Sequence, residues 1–168
     1  MGEPKKTNEE EIKELELIQK QEGDSGLIRE ADQRESKFGR IYAVKLLRGK
    51  TDALMKIVDP RGGLYHDSME AAMDLLAEAG EITNLASICL CSVRARDMEV
   101  TMYAVKKLEE LLLADKVELT DIMPVAETIM LYSKNAKARA KASDLCDKAG
   151  KSREIQQIME DHEEHKVY

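Results

Sequence analysis

The stretch Ile82 to Val93, ITNLASICLCSV, carries no charged residue in a chain where 35% of residues are charged. Eight of its twelve positions are Ile, Leu, Ala, Cys or Val. At about 100° per residue, Ile82, Leu85, Cys89 and Val93 form one stripe, with Ala86 and Leu90 beside it. Ile88 and Cys91 fall on other sides. A helix that is apolar all round is buried on several sides. The stretch therefore predicts a central helix, enclosed by its neighbours.

The rest of the chain supports helices. Ala, Leu, Glu, Lys and Met dominate, while the 168 residues include only one Phe, five Tyr and no Trp. β-Branched runs and turn dipeptides at strand-like spacing are few, which argues against a sheet. The expected fold class is all-α, with seven or eight helices arranged as antiparallel pairs in an α-solenoid-like or helical-repeat-like bundle. The length suits one domain.

Two boundaries follow from composition. Residues 1–37 hold eleven acidic and seven basic side chains and little apolar material, and are expected to form an acidic tail or a loosely docked helix. Residues 38–168 are expected to form a single all-α domain. Within the first segment, Thr7 caps an acidic first turn and Glu22–Gly26 breaks the helix. Ile41 to Val58 is a helix candidate weakened by Gly49 and ended by Asp59-Pro60. Asp67-Ser68 caps a helix that stops at Gly80. Met98 to Leu113 is the clearest amphipathic helix, with Val100, Ala104, Leu108 and Leu111 on one face. Thr120-Asp121 caps the next, to Tyr132, with Pro124 placed in its first turn. Lys134-Asn135 opens a helix that ends at Gly150, and Ser152 caps the last. Short connections make successive helices antiparallel neighbours.

The chain echoes itself. AMDLLAEAG (Ala72 to Gly80) and ASDLCDKAG (Ala142 to Gly150) coincide at five of nine positions, and KLEELLLAD (Lys107 to Asp115) lies midway between them. YAVKLL at Tyr42 and YAVKKL at Tyr103 form a second echo, out of phase with the first. Self-similarity of this kind accompanies stacked helix pairs. The spacing Asp97, Val100, Ala104, Leu108, Leu111 resembles the second helix of a HEAT or armadillo-type repeat. Asp67, Met69, Met73, Leu76 and Asn135, Ala138, Ala142, Leu145 are partial versions. The resemblance covers about residues 40 to 150 and implies three helix pairs. Their spacing is nearer that of tetratricopeptide repeats, although the Trp, Gly-Tyr and closing Pro of that pattern are absent.

No constellation supports catalysis, so the chain is read as a non-enzyme without cofactor or metal. His162-Glu163-Glu164-His165 is similar to a metalloprotease motif but one residue too short to place both histidines on one face. It reads, with Asp161, as a solvated tail. Gly49-Lys50-Thr51 matches the end of a phosphate-binding loop, yet Val44 stands where the loop requires glycine. Cys89 and Cys91 point to opposite sides of a helix and cannot share a metal ion. With Cys146 they read as small buried hydrophobes. Met55, Met69, Met73, Met102, Met123 and Met130 read as core filler. Reduced thiols and the lack of an apolar run of about 18 residues suggest a cytoplasmic protein, with no membrane partner.

The net charge of −7 disfavours nucleic acid as a partner. Against that background, residues 134–153 hold seven basic residues and two acidic ones. Lys134, Lys137, Lys141 and Lys148 are the candidate partner-binding face, beside an apolar stripe of Ala138, Ala142, Leu145 and Ala149. The expected function is a non-catalytic scaffold or adaptor that binds a partner protein or peptide, acidic in character. The alternatives are a self-associating bundle, in the simplest case a homodimer, and a nucleic-acid-binding or nucleotide-regulated helical domain.

Overall fold

A computed structural model of the chain describes residues 6–59, 65–90, 95–114 and 116–164, with side chains described for these except at 95–98, 119 and 151–164. The fold is all-α, with eight helices and no strand among the described residues. These are α1 (Asn8–Gln33), α2 (Lys37–Leu46), α3 (Thr51–Val58), α4 (His66–Glu78), α5 (Ile82–Leu90), α6 (Ala95–Leu113), α7 (Leu119–Tyr132) and α8 (Ala136–Glu164). They fall into two compact units, Met1–Asn84 and Leu85–Tyr168.

In the first unit, α1 starts at a reciprocal cap. The Glu10 N–H donates to Thr7 Oγ1 at 3.3 Å, and the Thr7 N–H donates to Glu10 Oε2 at 2.9 Å. The break expected at Glu22–Gly26 falls on Gly23, whose φ of 65° and ψ of −148° leave helical space. The consequence is a reversal. Twenty residues of straight helix span about 30 Å, yet Arg34 Nη2 lies 2.7 Å from Glu14 Oε2. The two halves of α1 therefore fold back side by side. They approach at Gly26, where a Cβ would lie 2.7 Å from Ile18 Cγ2. Leu15, Leu27 and Ala31 are fully buried, so the segment for which the sequence left a tail or a loosely docked helix open is packed into the unit, against α2 and α3.

The single helix expected over Ile41–Val58 is two. Gly49 adopts φ 79° after a tight turn (Leu47 N–H to Val44 O, Lys50 N–H to Leu47 O), so α2 and α3 are separate. Asp67 and Ser68 lie inside α4, which begins at His66. Tyr65 holds the cap position without a side-chain cap bond. Both expected cap residues are drawn into tertiary bonds instead: Asp67 pairs with Arg40, and Ser68 Oγ donates to Ala31 O at 2.6 Å. The stop at Gly80 is as expected. Gly80 at φ 73° lets its N–H reach Ala77 O and the Glu81 N–H reach Leu76 O.

The charge-free stretch is helical over Ile82–Leu90 and buries Leu85, Ala86, Ile88 and Cys89. It is not enclosed on all sides. Thr83 and Ser87, one turn apart, are exposed, and the division between the units passes between Asn84 and Leu85. Uncharged hydroxyls are enough to let water solvate that face. Residues 91–93 lie outside the described residues.

In the second unit, Val100, Ala104, Leu108 and Leu111 of α6 are all buried, as their spacing requires. Pro124 is the sixth residue of α7, past the first turn, and leaves Thr120 O without its helical N–H donor. Gly150 does not end α8 and Ser152 does not cap a new helix. α8 runs from Ala136 to Glu164 because Gly150 keeps a negative φ and nothing forces a turn there.

The sequence echo has a structural counterpart inside each unit. In YAVKLL and YAVKKL the same three positions are fully buried: Ala43, Val44 and Leu47, and Ala104, Val105 and Leu108. In unit 1 the helix bearing this motif packs against the one bearing AMDLLAEAG (α2 on α4). In unit 2 its equivalent packs against the one bearing ASDLCDKAG (α6 on α8). In each unit the intervening helix, α3 or α7, packs on the last of the three.

Candidate interaction surface

The turn between α7 and α8 is fixed by its own polar groups. Ser133 is buried, and its N–H donates to Ile129 O at 3.0 Å. Its hydroxyl accepts from the Asn135 N–H at 3.3 Å, and its carbonyl accepts from Arg139 Nη1 at 2.7 Å. Asn135 then caps α8, its Oδ1 accepting from the N–H groups of Lys137 (3.0 Å) and Ala138 (3.2 Å). Every polar group of Ser133 is thus engaged, and the corner is held on both sides.

On that corner stand apolar side chains in water. Leu131 is 70% and Tyr132 69% exposed, and Met130 is also exposed. The helix turns its Ile122, Ala126, Ile129 stripe inward, where all three are buried. Residues 130–132 lie off that stripe, so Met130 is not core filler. Met69 and Met73 are buried, and Met55, Met102 and Met123 half-buried. The signal was present in the sequence: Ile129-Met130-Leu131-Tyr132 is apolar at four successive positions, and one helix face cannot accommodate four in a row.

The four candidate lysines are divided by the structure. Lys141 Nζ lies 3.1 Å from Glu109 Oε2, and Lys148 Nζ donates to Glu109 Oε1. The bonds from Lys148 and Lys141 hold the Glu109 carboxyl below its ordinary pKa. These two lysines join α8 to α6. Lys134 and Lys137 are exposed and have no ion pair among the described residues. Both follow the apolar corner in the chain, within five residues of Tyr132.

Unit 1 contains a denser polar cluster, but it is closed. Arg34 meets Glu11 (3.7 Å), Glu14 (2.7 Å) and Glu30 (2.7 Å), and Ser36 Oγ donates to Glu11 Oε2 at 2.8 Å. Arg40 grips Asp67 with two bonds (Nε to Oδ1 3.1 Å, Nη2 to Oδ2 2.7 Å), and Nη1 donates to Arg34 O and Glu35 O. The same guanidinium lies 3.6 Å from the centre of the Tyr65 ring. Arg40 holds the Asp67 carboxyl below its ordinary pKa. With its acceptors consumed internally, this cluster ties α1 and α2 to α4.

The remaining sequence candidates are dispersed. No group of three or more His, Cys, Asp or Glu side chains arranged for a metal ion occurs among the described residues. The side chains of Asp161 and His162, and the whole of His165 and Cys91, lie outside the described residues. Cys89 is buried with Sγ 3.3 Å from Leu85 O. Cys146 is half-buried, and burial, with Glu127 and Asp147 nearby, pushes its thiol pKa up. Thr51 of the Gly49-Lys50-Thr51 turn donates to Glu81 Oε1 at 3.0 Å. No helix among the described residues is long and apolar enough to cross a membrane. No family model, curated protein or solved structure matches the chain.

Proposed function

We propose that the chain is a non-catalytic helical scaffold or adaptor that binds a partner protein or peptide through its second unit. The observation supporting this reading is the apolar corner: Leu131 and Tyr132, each about two-thirds exposed or more, stand beside a turn whose polar groups are already satisfied. Covering such side chains releases their hydration water. A corner that is ordered before binding loses little conformational entropy on binding. Tyr is also a residue type enriched at the energetic centres of interfaces.

The competing reading is self-association through the same side chains. Light scattering over a wide concentration range separates the two, because a partner-binding adaptor stays at the mass of one chain. Quantitative pull-downs with wild type and Leu131→Ser then test the surface. Partners lost selectively in the variant support the adaptor reading, and an unchanged set of partners ends it.

A further inference from the structure

We propose that the partner segment is an acidic amphipathic helix of another protein, which packs on the exposed end of α7 much as α1 packs on α3 within unit 1. This inference rests on the adaptor reading and adds the chemistry of the partner. Its basis is the internal echo. α2 and α6 share one motif and α4 and α8 the other, and α3 and α7 hold the same place in order between them, each packed on the last helix of its three. In unit 1 the middle helix, α3, has α4 on one side and is also packed by α1. That covering helix carries nine acidic and three basic residues and inserts Leu15 and Leu27 into the core. In unit 2 the middle helix, α7, leaves Met130, Leu131 and Tyr132 in water.

The charge at the corner selects the sign of the occupant. Lys141 and Lys148 both pair with the single carboxylate of Glu109, whereas Lys134 and Lys137 have no ion pair among the described residues. A helix that lays Leu or Phe on Leu131 and Tyr132 while presenting Glu or Asp at its rim satisfies both features. Rim charges of this kind steer association and set orientation.

A phage-displayed library of helical 16-residue peptides selected on the full chain, followed by fluorescence anisotropy with the enriched peptides, tests this. The expected peptides combine Glu or Asp with apolar residues at helical spacing. Their affinity falls about tenfold in Lys134→Glu/Lys137→Glu and at least as far in Leu131→Ser. Lys141→Ala changes it less than about twofold. Added salt weakens binding to the wild type more than to the double lysine variant. All the substituted positions are at least partly exposed, and unchanged far-UV circular dichroism verifies the fold of each variant. Peptides without acidic residues, lost in Leu131→Ser but indifferent to Lys134→Glu/Lys137→Glu, overturn this inference and leave the adaptor reading standing. Absence of any peptide sensitive to Leu131→Ser or Tyr132→Ser overturns both. A concentration-dependent dimer abolished by Leu131→Ser assigns the corner to a second copy and likewise overturns the proposal.

Discussion

Arg34, just past the end of α1, and Glu14, in its first half, are twenty residues apart in the chain, yet their side chains meet at 2.7 Å. The contact exists because Gly23 turns the chain back, and it places Arg34 between carboxylates from both halves of α1. The Arg34 side chain is only 10% exposed and that of Glu11 only 7%. Removing the cation therefore strands buried negative charge. Arg34→Met is expected to destabilise unit 1 by about 3 kcal/mol. Urea unfolding followed by circular dichroism measures it, and a loss below about 1 kcal/mol, the range of a surface pair, contradicts the structural role given to Arg34.

Two glycines are expected to respond with opposite sign. Gly23 occupies a region of φ and ψ that side chains avoid, so Gly23→Ala should cost about 1–3 kcal/mol even though a Cβ there meets nothing within 4 Å. Gly150 sits within α8 at negative φ, and a Cβ there also meets nothing within 4 Å. Gly150→Ala should stabilise by about 0.5–1 kcal/mol. Thermal melts of the two variants that shift in the same direction would show that the two backbone assignments do not both hold.

Acid should loosen unit 1. Hydrogen bonds from Lys6 and Arg34 hold the Glu14 carboxyl below its ordinary value of 4.5, and Arg40 holds that of Asp67 below 3.8. A carboxylate whose pKa is lowered by folding stabilises the fold fully above its unfolded value. That stabilisation declines as pH falls through the unfolded value and is gone below the folded one. The urea midpoint is thus expected to be level between about pH 7 and 5 and to drop below about pH 4.5. Asp67→Asn should start lower at neutral pH and lose less in acid. Parallel acid profiles for the variant and the wild type would remove Asp67 from the account.

The lysines should separate by role. Glu109→Gln, which weakens the contacts of Lys141 and Lys148, is expected to cost about 0.5–1 kcal/mol, reduced in high salt. Lys134→Ala and Lys137→Ala are expected to leave stability within about 0.5 kcal/mol of the wild type. Chemical denaturation at low and high ionic strength checks both statements. A comparable loss at Lys134 would mean that its charge is engaged within the fold after all.

Much of the helical pattern was legible in the sequence. The Thr7–Glu10 cap, the stop at Gly80 and the Val100, Ala104, Leu108, Leu111 stripe depend on residues within a few positions of one another, so local spacing states them completely. The candidate surface was legible only in part. The basic run was visible as a row of lysines, but which of them keep an available charge depends on Glu109, thirty or more residues away. The apolar corner was missed because Met130 read as core filler; the apolar run Ile129 to Tyr132 signals that some of its side chains face water, but only the packing of α7 decided that Ile129 is the one that goes inward.

The sequence by itself determined an all-α chain, several of its helix ends and the spacing of its buried stripes, because caps, glycine stops and the 3.6-residue period are short-range physics. Tertiary structure decided that Gly23 reverses α1 while Gly150 is absorbed into α8. It also decided that Asp67 serves Arg40 rather than its own helix, and that Lys141 and Lys148 pair with Glu109 while Lys134 and Lys137 have no ion pair among the described residues. Each of these outcomes depends on a partner brought close by folding. A charge or a glycine has no fixed role until the distance to that partner is set.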